Sequence, residues 1–242
     1  MIREAWRSRR SSVIFMAAVL VIAGLLAVKV IFFPEQSRES AVPSASASAA
    51  PSLSAVAASA GSVGADGRAV CDVKVPAGKE FSAEVPSDFT WAATSDGPRY
   101  PVSATYGPTV QVGHTGQCFA HNPTGAAMAA IVTLHGQSDS QASEAERRAL
   151  ISSRLSSQPL DTPSTERVDS QVYGYTIQGY SPERATVQVT VLYRSPQHMA
   201  VRFTVRMVWE AGDWRLDSEE SEIKPTIVTE TGELSTQIFK VA

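Results

Sequence analysis

The chain has 242 residues, 21 of them basic and 24 acidic, with a formal net charge of −3 and a 43% apolar share. That balance lacks the basic surface that nonspecific nucleic-acid binding needs, so proteins and small molecules are the better partner classes. No Gly-x-Ser-x-Gly, phosphate-binding Gly loop, His-Glu-x-x-His or Cys-x-x-Cys occurs, which removes the familiar motif-borne chemistries.

Residues 1–12 hold Arg3, Arg7, Arg9 and Arg10 with only Glu4 to offset them. Val13 to Phe33 is then a near-continuous apolar run, interrupted by Gly24 and Lys29. At helical rise it spans roughly 31 Å, the depth of a bilayer's hydrocarbon core. The run outlasts the apolar centre of a cleaved signal peptide, the competing reading. It is expected to be a single transmembrane helix, and Lys29, one turn from its end, can snorkel to the interface. The positive-inside rule leaves residues 1–12 in the cytoplasm and exports everything after Phe33.

Pro34 ends that helix. Residues 34–68 collapse to Ala, Ser, Pro, Val and Gly, a composition that buries too little to offset the entropy of ordering. They are expected to form a disordered tether with an average reach of about 30 Å, open to O-glycosylation. Residues 69–242 suffice for one domain with a sizeable core. That part holds 20 acidic and 14 basic residues, a net of −6. Cys71 and Cys118 both lie in it, and in an oxidising compartment an isolated pair is most simply a disulfide. The rival is a metal site made by His114, Cys118 and His121, but it lacks a fourth ligand at tight spacing.

From 72 to 113 short alternations (Val73, Val75; Phe81, Ala83, Val85) and frequent prolines predict extended segments and turns wrapping the domain, with Trp91 and Tyr100 plugging its surface. Asn122 and Pro123 then suit a helix start, and Ala127, Met128, Ile131, Val132 and Leu134 predict a helix with one apolar face. A second helix is expected from about Ser143 to Leu155. Ser143 and Glu146 resemble a capping box, Ala149, Leu150, Ile151 and Leu155 form the buried stripe, and Glu144, Arg147 and Arg148 form the solvated face. Tyr173, Tyr175 and Ile177 mark a strand. Ala185 to Tyr193 and Met199 to Trp209 alternate strictly and are joined by Arg194-Ser195-Pro196-Gln197, and Ala211-Gly212-Asp213 turns the chain into Trp214-Arg215-Leu216. The fold class is α+β, with about two helices packed on a curved antiparallel sheet.

The closing run Val208 to Leu216, a long strand turning through Gly-Asp into Trp-Arg-Leu, resembles the last hairpin of nuclear transport factor 2-like (cystatin-like α+β) domains. The block Cys118-Phe119-Ala120-His121-Asn122-Pro123-Thr124-Gly125-Ala126, following Pro101-Val102-Ser103 and Gly107-Pro108, resembles single-pass membrane proteins of actinobacteria associated with conjugative and mobile elements. The resemblance implies a non-enzymatic scaffold or interaction protein of a conjugation or type IV secretion-like apparatus. It would pack against copies of itself and against channel subunits; the residues themselves, apart from the resemblance, give no expectation of a cofactor, a metal or direct nucleic-acid contact. Fold alone does not fix such a role. A rival class is a small-ligand binder or enzyme with a cone-shaped pocket, for which His121, Tyr173, Tyr175 and Asp213 are the candidate residues. A third is an envelope regulator or wall-anchoring protein that recruits its partner by strand addition through residues 222–242, although a final strand or helix packed on the same domain is the preferred reading of that segment.

Overall fold

The computed structural model describes residues 62–95, 97, 99–165, 168–194, 199–219, 222–223, 225–228 and 236–239. All lie in one compact unit, Leu53–Ala242; the other, Met1–Ser52, is outside them. The expected transmembrane helix at 13–33, and the expected linker as far as residue 61, also fall outside the described residues. Among the described residues no helix is long and apolar enough to cross a membrane.

The last expected linker residues, 62–68, pack on the domain. Val63 bridges Ala69, Gly64 N–H donates to the Arg68 carbonyl, and the Arg68 guanidinium pairs with Glu210 at 2.9 Å. Ala, Ser and Gly are as suited to a close-packed strap as to a tether, so composition alone does not mark where one gives way to the other.

Among the described residues, ten strands and two helices follow. They are β1 (Thr90–Ala93), β2 (Arg99–Val102), β3 (Val110–Val112), β4 (Thr115–Gln117), α1 (Pro123–Ser138), α2 (Glu144–Ala149), β5 (Ser170–Tyr180), β6 (Arg184–Tyr193), β7 (Met199–Glu210), β8 (Asp213–Leu216), β9 (Thr226–Val228) and β10 (Gln237–Ile238). A short 3₁₀ turn at Ser153–Leu155 follows α2. The main sheet runs β1-β2-β5-β6-β7-β8, with β10 beside β5 and β9 beside β7, while β3 and β4 form a separate hairpin. All pairings are antiparallel except β2 with β5. The α+β expectation is therefore met.

The register explains the curl. Val187, Val189 and Val191 face Val205, Phe203 and Val201 across the β6–β7 pair, so the strict alternation of the sequence becomes one apolar face. On β5 the pairing shifts between Val172 and Gly174 and again between Ile177 and Gly179. Each shift inserts an unpaired residue, bends the strand and increases its twist. The first unpaired residue is Tyr173, so Val172, not Tyr173, joins Tyr175 and Ile177 opposite the valines of β6.

Under the curled sheet lies α1. It is not the one-faced helix that its pattern suggests: 13 residues from Pro123 to Gly136 are buried, on all sides. Its Ala and Gly content permits this, since small side chains let the sheet, the β3–β4 hairpin and α2 approach together. At Gly136 a Cβ would sit 2.8 Å from Leu150. Asn122 caps the helix by accepting from Gly125 N–H and donates to the Lys79 carbonyl. The Ser143–Glu146 capping box forms as expected, but α2 ends at Ala149, and the 3₁₀ turn carries Leu155 into the core. Trp91 and Tyr100 also sit as expected, Tyr100 buried and Trp91 edge-on to Phe89 and Phe239.

Candidate functional site

Cys71 and Cys118 are joined, 47 residues apart, so neither sulfur is free as a thiolate. Asp213 lies beside this bond, and the three ligand-type atoms fall within 4.8 Å of one another. With both sulfurs bonded to each other, the set offers a cation one carboxylate. His114 and His121 are exposed, and the triad weighed for a metal does not assemble.

Asp213 is fully buried at the start of β8. Its carboxylate accepts from the backbone N–H groups of Cys118, Phe119 and Trp214, each at 2.9 Å. Cys118 has φ +69°, so the carboxylate steadies a left-handed turn that a side chain disfavours. Burial pushes the Asp213 carboxyl up from its ordinary value, against the Arg215 charge and the three N–H donors that pull it down. Arg215, 1% exposed, pairs with Asp213 at 3.5 Å and donates to Gln117 and to the Ala149 carbonyl. Gln117 in turn holds the Gly67–Ala69 strap at both ends of its amide. These residues form a buried lock that ties hairpin, strap, disulfide and α2 together, with no opening for a substrate on the carboxylate.

The other sequence candidates are likewise held in place. The Tyr175 hydroxyl donates toward the carbonyls of Ala83 and Glu84, and burial pushes its phenol well above the ordinary value. Tyr173 sits at the β5 bulge, and its carbonyl accepts from Phe239 N–H. His121 stacks on Trp209 with ring centres 3.9 Å apart, and its Nε2 lies 2.6 Å from the Pro182 carbonyl. The four residues do not converge on one cavity.

A cavity of about 290 Å3 does lie between the C-terminal end of α1 and the sheet, walled by Leu134, Val189, Val191, Tyr193 and Phe203. Phe203 faces this cavity and is half buried, between the buried Val201 and Val205 of the same row. One ionisable group of α1 enters its lining, His135, which stacks on Tyr100 at 6.2 Å. Burial lowers the His135 pKa to about 4, so the imidazole is neutral at physiological pH. The sequence contained a signal for it: His135 follows Leu134 on the buried helix, but a periodicity that stops at Leu134 leaves it out. The site is therefore a small, largely apolar chamber with one neutral imidazole, suited to holding an apolar guest.

Fold and cavity together define an α+β domain in which a small-residue helix fills a curled sheet and leaves a chamber at one end. The chain belongs to the family described as a domain of unknown function, DUF8175, which residues 49–235 match. No curated protein and no solved structure matches the chain.

Proposed function

We propose that the chain is a membrane-anchored, non-enzymatic interaction protein of the cell envelope. Its α+β domain stands outside the cytoplasmic membrane as an assembly component of a conjugation or type IV secretion-like apparatus. The observation that carries this reading is that the chemistry-bearing residues are engaged in holding the fold. Asp213 serves three backbone N–H groups, Tyr175 serves two carbonyls, and the cysteines serve each other. A disulfide suits an oxidising compartment, which supports export by the apolar run at 13–33. The resemblance to actinobacterial membrane proteins of mobile elements supports the assembly role. Crosslinking in intact cells followed by affinity purification tests it. Channel subunits or a membrane ATPase should be recovered with the full chain and lost when residues 69–242 are deleted. A monomer without protein partners overturns it.

The cavity beside His135 favours a second reading, a binder of a small apolar ligand. Native mass spectrometry of the full chain purified from its own cells separates the two. A retained small molecule, displaced by His135→Trp, supports the binder; an empty chamber removes it.

A further inference from the structure

We propose that a second cleft, beneath α2, is a binding site for small aliphatic carboxylates. The key residue is Arg147. Its neighbour Arg148 stays on the surface and pairs with Glu144 at 2.7 Å, as a helical i,i+4 pair does. Arg147 departs from the expected solvated face: it turns inward and is 8% exposed. It lines a cleft of about 480 Å3, within the range of small-molecule sites, together with Ile151, Leu155, Leu160, Leu216 and Ile223.

The guanidinium is only partly satisfied. Its Nη1 donates to the Asp161 carbonyl at 2.6 Å, while its buried Nε has no hydrogen-bond partner. No carboxylate among the described residues lies within ion-pair distance of it. Of the acids that line the cleft, Glu219 pairs with Arg154 at 3.4 Å, and Asp161 contributes its backbone carbonyl to Arg147. A buried guanidinium with no anion among the described residues is a costly arrangement, and a guanidinium that lines a cleft with aliphatic walls is what a carboxylate with an apolar body would complete. The walls of the cleft are tied together by the Gln137 side-chain amide, which donates to the Arg147 carbonyl at 2.7 Å, and by Ser152 N–H, which donates to that of Leu216 at 2.9 Å. The cleft adjoins the His135 chamber at Ser138, which lines both, and the proposal does not rest on the assembly reading.

The test is calorimetric titration of the full chain in lipid nanodiscs, with empty nanodiscs as the reference, using hexanoate, 1-hexanol and acetate. Hexanoate should bind at least about tenfold more tightly than either of the others, since only it offers both charge and aliphatic body. Arg147→Met should weaken hexanoate by about tenfold or more while leaving 1-hexanol unchanged. Leu160→Trp keeps the guanidinium but fills the cleft, and should abolish binding of both even if Arg147→Met does not fold. Equal affinity for hexanoate and 1-hexanol, or hexanoate binding unaltered in Leu160→Trp, overturns the proposal.

Discussion

The two halves of β7 experience opposite environments. Toward Glu210 the strand pairs with β8, and Met207 and Trp209 meet Leu216 and Trp214 above the Asp213–Arg215 lock. Toward Met199 it pairs with β9, and Phe203 faces a chamber. The same alternation writes both halves, so alternation sets only which face turns inward. What meets that face comes from elsewhere: small residues of α1 and a buried ion pair at one end, and Leu134 and the His135 imidazole across a chamber at the other.

The largest change should come from breaking the closed end. Asp213→Ala leaves Arg215 buried without its counter-charge and three N–H groups without an acceptor, and should cost about 3–5 kcal/mol in urea unfolding. A loss under 1 kcal/mol would mean the lock is not buried as described. Replacing both cysteines by serine opens the 47-residue loop and should cost on the order of 3–4 kcal/mol, measured in the same way.

The open end should answer to pH instead. His135 has a folded pKa of about 4, below its unfolded value of about 6.5, so its contribution is complete above pH 6.5. As pH falls, the unfolded chain takes up a proton first, and up to about 3 kcal/mol of stability should be lost between pH 6.5 and 4. His135→Phe should flatten that part of the stability profile; an unchanged slope would place the acid sensitivity elsewhere. The smallest effect belongs to the β7–β8 turn, where Ala211 and Gly212 have φ +52° and +82°. Both central residues of a two-residue hairpin turn favour glycine or asparagine there, so Ala211→Gly should raise stability by about 0.5 kcal/mol. A fall would mean that the alanine methyl packs usefully.

The sequence made the β6–β7 hairpin, the Trp-Arg-Leu strand and the capping box legible because each is a local pattern. It hid Arg147, since residues 147 and 148 look alike until α2 is seen to stop at Ala149. It hid the role of Asp213 for a related reason: Gly-Asp reads as a turn, and nothing local shows that residues 118 and 119 arrive beside it. Tyr173 was assigned to the inward row by period two, and a single bulge undid that period. Within residues 222–242, the described strands pack on this same domain, β9 on β7 and β10 on β5, as the reading of a final strand on the domain expects.

That last arrangement bears on how the protein is made. Phe239 is 1% exposed against Phe89, Trp91 and Tyr175, and it arrives with β10, the last described strand in chain order. A nascent chain that has emerged only as far as β8 would have its central hairpins but bare backbone along part of β5 and part of β7. Such edges recruit other chains, so premature termination between β8 and β10 should yield aggregates instead of a shortened domain.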